Sequence, residues 1–139
     1  MSRLSRLPRV LLLLYAAFLA VALLSPGSEQ QSDAVDWLSR QLIDRGFAAA
    51  TFDRLEVVMN AVIVVPLTFL GSVVLPRLSW RDWTAFAFLA ALAVEAVQAL
   101  VLPDRQAAFS DVVANTTGAL VGAVAYQCLA STLRGRTSR

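Results

Sequence analysis

Six polar or charged residues stand out because they lie within or beside long apolar runs. A carboxylate in apolar surroundings can act as a general acid or base, or it can pair with a cation. Amide side chains both donate and accept hydrogen bonds, so they can hold a polar ligand. The six residues are Asn60, Glu95, Gln98, Arg105, Asp111 and Asn115.

Composition excludes several other kinds of site. The chain has no His and a single cysteine, Cys128, so Ser–His pairs, Cys–His pairs and thiolate metal clusters cannot form. We therefore expect no metal site and no cofactor. The basic residues are all arginines, in small groups between apolar runs, which indicates membrane topology and not nucleic-acid binding.

The elements that must position the six residues are membrane helices. Apolar residues make up 58% of the 139 residues, and a transmembrane helix needs roughly 20 of them in succession. The sequence predicts an all-α integral membrane protein, a four-transmembrane-helix bundle forming one domain over residues 1–139. The predicted spans are about 8–25, 57–76, 83–102 and 111–130.

The first span also has features of a signal peptide. Arg3, Arg6 and Arg9 precede the apolar run, and Ala20-Val21-Ala22 fits a small-residue cleavage site. The run is long for a signal peptide, and the other helices would lose a packing partner if it were removed. We therefore interpret it as a retained helix, and in both interpretations the segment that follows lies outside.

The distribution of charge predicts the orientation. One side has eight arginines less one aspartate, about +7, and the other has four arginines less eight acidic residues, about −4. The positive-inside rule therefore places both termini in the cytoplasm, as an even number of spans also requires.

The outer loop, residues 26–56, is predicted to carry a short amphipathic helix near 33–45. Ser32 would be its N-cap, and Gly46 would end it. This helix is either a packing connector or a lid over the polar residues below. Three apolar residues share its predicted buried face: Val35, Leu38 and Leu42.

Local signals predict how two of the spans begin and where one bends. Asp53 with Glu56, and Ser79 with Asp82, have the spacing of capping boxes at the starts of the second and third spans. Pro66 removes one backbone hydrogen bond inside the second span and is predicted to kink it.

The direction of each span brings the polar residues to one depth. Asn60, Glu95, Gln98 and Asn115 are each predicted to lie roughly 5–10 Å below the outer end of a helix, at 1.5 Å per residue. We expect them to form a cluster in the outer leaflet, with Arg105 of the short outer loop as the charged partner of the glutamate.

Small residues of the fourth span share a face with its polar residues. Asp111, Asn115, Gly118 and Gly122 fall at offsets 0, 4, 7 and 11, a single stripe on a helix. The two glycines allow close approach of another helix, in the same chain or in a second copy. Two alternatives stay open: the cluster is a structural clasp between helices, or Asp111 only stabilises a helix start.

These residues resemble the VanZ-like family of bacterial membrane proteins. The family pattern is N-x-x-x-F-x-P-L-G, then E-x-x-Q, an arginine, and D-x-x-x-N-x-x-G-x-x-x-G. The chain follows this order from Asn60 to Gly122, with Val64 in place of Phe and Thr68 in place of Gly. Both differences fall at expected helix contacts.

The resemblance implies a multi-pass protein of the bacterial inner (cytoplasmic) membrane, and the founding member is associated with low-level teicoplanin resistance. The family has no established biochemical activity. We favour the hypothesis that the protein engages a lipid, glycolipid or lipoglycopeptide of the cell envelope at the outer leaflet. Two alternatives stay open: a membrane-embedded enzyme that uses Glu95 on a lipid-linked substrate, and a structural or assembly subunit.

Overall fold

The computed structural model describes residues 3–24, 29–101 and 109–137. Within these ranges, helices are the only regular secondary structure, so the predicted all-α class is confirmed there. The five helices of the described ranges are α1 (Arg3–Leu24), α2 (Glu29–Asp44), α3 (Phe52–Val74), α4 (Trp80–Val101) and α5 (Phe109–Thr137).

Each predicted span corresponds to one helix, but every helix begins before the predicted bound. Helix α1 starts at Arg3 and holds Pro8 inside it, and α5 continues to Thr137. The predicted bounds were taken from the apolar runs, which cover only the part of each helix that suits contact with hydrocarbon. A helix satisfies its own backbone hydrogen bonds, so it can extend beyond that part into polar sequence.

Two described segments are long and apolar enough to cross a membrane: α3, and Phe109–Gly135 of α5. Helices α1 and α4 expose large apolar side chains, with Leu13 70% and Leu100 84% exposed. Extensive apolar exposure is unusual for a water-soluble surface and ordinary for helices that face lipid. The fold is therefore compatible with a helical membrane protein.

Helix α5 lies against both α3 and α4, while α1 and α2 pack on α3. The central position of α5 follows from its small side chains, because Ala114, Ala119 and Ala123 are almost completely buried. Small residues at a helix contact allow close packing without a large apolar side chain on either helix.

Helices α3 and α5 run in the same direction. Ala61 in the first half of α3 faces Gly118 in α5, and Phe69 farther along α3 makes an edge contact with Tyr126, with ring centroids 6.0 Å apart. Residue numbers increase together along both helices, which defines a parallel pair. Three consecutive membrane-spanning helices would produce the same relation between the first and the third.

Two glycines bring the backbones of this pair into contact. A Cβ at Gly118 would overlap the carbonyl group of Ala61, and one at Gly122 would overlap the carbonyl oxygen of Val65 and the hydroxyl of Thr68. Thr68 is 2% exposed, and its hydroxyl donates to carbonyl groups of its own helix. Position 68 is therefore a helix contact, in which the glycine on α5 leaves room for threonine.

Pro66 does not interrupt α3, which continues from Phe52 to Val74. Its side chain is exposed, so it lies outside the buried contact between α3 and α5. The kink remains a prediction.

Helix α2 starts at Glu29, so the prediction of Ser32 as N-cap was wrong; the helix extends through the polar residues that precede it. Its predicted end is confirmed. Gly46 has φ 95°, and its N–H donates to the carbonyl of Ile43 at 2.9 Å. Glycine adopts this left-handed conformation without steric penalty, which allows the chain to turn out of the helix.

The predicted apolar face of α2 is partly buried, and the helix packs on α3. Ser39 is buried beside this face, and its hydroxyl donates to the carbonyl of Ala50 at 2.7 Å. Trp37 is 64% exposed. These contacts favour the interpretation of α2 as a packing connector, and its role as a lid stays a prediction. The three face residues are Val35, Leu38 and Leu42.

The capping box predicted at the start of α4 is confirmed. The N–H and the hydroxyl of Ser79 both donate to Asp82 at 2.8 Å, and the N–H of Asp82 donates back to the Ser79 hydroxyl at 3.4 Å. The bond from the Ser79 backbone, followed by that from its hydroxyl, lowers the pKa of the Asp82 carboxyl below its ordinary value. The carboxylate therefore stays charged at neutral pH and stabilises the helix start.

The capping box predicted at the start of α3 was wrong. Thr51 is the N-cap, and it makes no side-chain capping bond. Because the helix already begins at Phe52, Asp53 lies inside its first turn and favours the helix through its charge alone.

The contact between α3 and α5 can be tested with Gly118→Ala. The added methyl group would overlap the Ala61 carbonyl, and such overpacking should lower the free energy of unfolding by about 1–3 kcal/mol. Gly135→Ala is the matched control, because a Cβ there meets no atom within 4 Å. Unfolding of the purified chain in mixed micelles measures both. Equal stability of the two variants would contradict the close approach.

Candidate functional site

The candidate site begins with a polar pair at the first halves of α3 and α5. The Asn60 Nδ2 donates to the Asp111 Oδ1 at 3.0 Å, and both side chains are partly buried. Asp111 also lies in the first turn of α5, where unpaired backbone N–H groups favour a carboxylate. Its position therefore fits both roles considered from the sequence.

The close approach of the two helices produces this pair. Gly118 faces Ala61, the residue after Asn60, and Asp111 lies two turns before that glycine on the same stripe of α5. Because α3 and α5 run parallel, the two polar side chains converge from the same end of the bundle. A carboxylate and an amide can each make further hydrogen bonds beyond the one they share.

A cavity of about 400 Å³ lies next to this pair, between α1, α3 and α4. Asn115, one turn after Asp111, forms part of its wall. The remaining wall is almost entirely apolar, and Thr68 directs its hydroxyl to its own helix. The apolar residues from α1 and α3 are Ala16, Leu19, Ala20, Ile63, Val64 and Leu67.

Helix α4 supplies the opposite wall, which sequence reasoning missed. Trp83, Ala87, Ala90 and Val94 all line the cavity. They are spaced at offsets 0, 4, 7 and 11, so they form one helical stripe. The stripe is visible in the sequence as a periodicity of small and apolar residues, but Glu95 and Gln98 on the same helix are the more conspicuous signal.

Trp83 lines the cavity at the opposite end of α4 from Val94. Its ring packs against Gly71, where any Cβ would overlap the ring carbons. Among the described residues, the indole Nε1 is buried and has no hydrogen-bond partner. Because Gly71 has no side chain, the Trp83 ring can pack directly against the backbone of α3.

Of the other three predicted site residues, the structure describes the side chain of Glu95 alone. Glu95 is partly buried and follows the cavity-lining Val94. Gln98 lies in the same helix, but its side chain falls outside the described residues, as does all of Arg105. Among the described residues, Asn60 and Asp111 form a hydrogen-bonded pair, and Asn115, one turn after Asp111, lines the cavity.

The arrangement offers hydrogen bonding beside a large apolar surface. Within the described ranges, no group of three His, Cys, Asp or Glu residues could hold a metal ion. Cavities of roughly 300–1,000 Å³ with apolar walls and few polar groups are typical of small-molecule sites. The chemistry present suits a molecule that has a polar part and a hydrocarbon part.

Comparison with known proteins identifies a family. The family model described as VanZ/LLP1 matches residues 10–130, most of the chain. No curated protein and no solved structure matches the chain.

The polar pair can be tested by a double-mutant cycle of Asn60→Ala and Asp111→Ala. Interhelical hydrogen bonds in membrane proteins couple by about 0.6 kcal/mol on average, so we expect a coupling energy of about 0.5–1.5 kcal/mol in unfolding. The control pairs Asn60→Ala with Thr117→Ala, because the Thr117 hydroxyl bonds to its own helix and should show no coupling. A coupling energy near zero in both cycles would show that the bond does not form.

Proposed function

Because the chain belongs to the VanZ-like family, we propose that it is a multi-pass protein of the bacterial inner membrane that binds an amphiphile at the outer leaflet. The amphiphile is a lipid, a glycolipid or a lipoglycopeptide. One observation carries the proposal: the hydrogen-bonded pair of Asn60 and Asp111 lies one helical turn before the residues that open an apolar cavity.

The proposed topology has four membrane spans, α1, α3, α4 and α5, with both termini in the cytoplasm. The parallel packing of α3 and α5 supports it, since α4 must then cross back between them. The large exposed apolar side chains of α1 and α4 support it as well, because they suit contact with lipid. The excess of arginine near the termini and in the connection between α3 and α4 gives the direction.

In this topology the polar pair lies in the outer leaflet. Asn60 follows the start of α3 by eight residues, about 12 Å along the helix, and Asp111 follows the start of α5 by two residues, about 3 Å. Polar side chains at this depth are costly unless they have partners. A bound polar group would add partners to those that the chain itself supplies.

We propose that the head group contacts the Asn60–Asp111 pair together with Glu95 and Arg105. Arg105 belongs to the short outer loop and would bind an anionic or polar group of the amphiphile. Glu95 would orient that guanidinium from α4. The Asn60–Asp111 pair would accept hydrogen bonds from hydroxyl or N–H groups of the same head group.

The proposal also connects to glycopeptide tolerance. Teicoplanin, with low-level resistance to which the founding member of the family is associated, carries a lipid chain on a polar glycopeptide. An outer-leaflet site for amphiphiles would accept such a molecule. Binding would keep it away from its target at the cell surface, which is the proposed link to teicoplanin resistance.

Binding measurements on the full chain in nanodiscs test this function. The probes are teicoplanin and, separately, lysophosphatidylglycerol. Loss of one charge-assisted contact should weaken binding of either probe about tenfold or more in Arg105→Ala. Arg45→Ala is the matched control, since this exposed arginine lies on the same predicted side and should bind like the wild type. Absence of binding by both probes, or equal effects of the two variants, would overturn the proposal.

A further inference from the structure

We propose that the cavity between α1, α3 and α4 holds the single hydrocarbon chain of the bound amphiphile, with the end of the chain against Trp83. This inference rests on the proposed function and adds two features to it: the site of the tail and a limit on its length. The polar–apolar junction of the ligand then lies at Asn115.

The polarity of the wall gives the orientation of the occupant. Asn115 contributes an amide near one end, whereas the Thr68 hydroxyl is directed to carbonyls of its own helix. The remaining lining offers hydrocarbon and aromatic surface. A molecule with a head beside Asn115 and an unbranched apolar chain beyond it matches this distribution.

The length of the cavity matches one lipid chain. Val94 and Trp83 are eleven residues apart on α4, which is about 16 Å along the helix axis. A saturated chain of about myristoyl length would extend from Asn115 to the tryptophan ring.

The arrangement of the helices leaves the cavity accessible from the membrane. Helix α4 packs on α5, and α1 packs on α3, so the cavity lies between the two helix pairs. Phe18 of α1 and Leu89 of α4 are both large, apolar and exposed on these helices. The surrounding medium in the proposed topology is hydrocarbon, and an unfilled apolar space of this volume would lose dispersion contacts along its whole wall.

Trp83 sets the length limit because its ring cannot move toward α3 without meeting Gly71. Replacing Trp83 with a smaller apolar residue extends the cavity, whereas enlarging Ala87 obstructs it partway along. These two changes have opposite effects on chain length. A merely structural role of either residue would change stability without changing the preferred chain.

The test measures binding of lysophosphatidylcholines, from octanoyl to stearoyl, to the full chain in nanodiscs by native mass spectrometry. Affinity should rise about fourfold with each methylene group until the chain fills the cavity, and then stop rising. Ala87→Leu should remove the gain for the longer chains, and Trp83→Leu should move the limit to longer chains. Ala85→Leu, on the exposed opposite face of α4 at nearly the same depth, should behave like the wild type.

The outcomes separate this inference from the function on which it rests. If Ala87→Leu and Ala85→Leu bind the series alike while Arg105→Ala still weakens binding, the tail lies elsewhere and the proposed function stands. If Arg81→Ala weakens binding and Arg105→Ala does not, the occupant comes from the inner leaflet and the inference is wrong. If no lysolipid binds the wild type but teicoplanin does, the tail site fails and the proposed function stands; if neither binds, both fail. Thermal melting of each variant establishes that it is folded.

Discussion

The backbone contact between α3 and α5 is the constraint on which the rest of the structure depends. At Gly118 and Gly122, α5 has no side chain, and at both positions the main chain of α3 occupies the space. This contact fixes the height and the rotation of one helix relative to the other. Asp111 and Asn60 meet as a consequence, because each lies on the contacting face toward the same end.

The cavity has its origin in the same contact. The small side chains of α5 draw α3 and α4 close to α5. On the other side, the alanines of α4 do not fill the gap toward α3, and α1 covers only the α3 side. The protein thus places its polar pair one helical turn from its apolar cavity, so the proposed binding of an amphiphile would require no other arrangement of the helices.

The sequence predicts those features of the fold that depend on a local pattern of residues, such as the helices and their caps. Apolar runs identified the long helices, and the spacing of Ser79 and Asp82 identified a capping box. The helix starts were placed too late, as in the wrong N-cap at Ser32, because helical hydrogen bonding does not stop where apolar residues do. The cavity depends on the relative positions of three helices. No single helix could reveal it, although the stripe from Trp83 to Val94 was visible.

The most direct measurement of the central claim uses intermolecular nuclear Overhauser effects between a protonated lysophosphatidylcholine and methyl-labelled protein in deuterated micelles. The account predicts that chain protons contact the methyl groups of Ala87 and Leu19, which line the cavity, and that head-group protons lie nearer to Asn115. Effects of equal strength at Ala85, which faces away from the cavity, would show that the lysolipid only coats the apolar surface and would contradict the account.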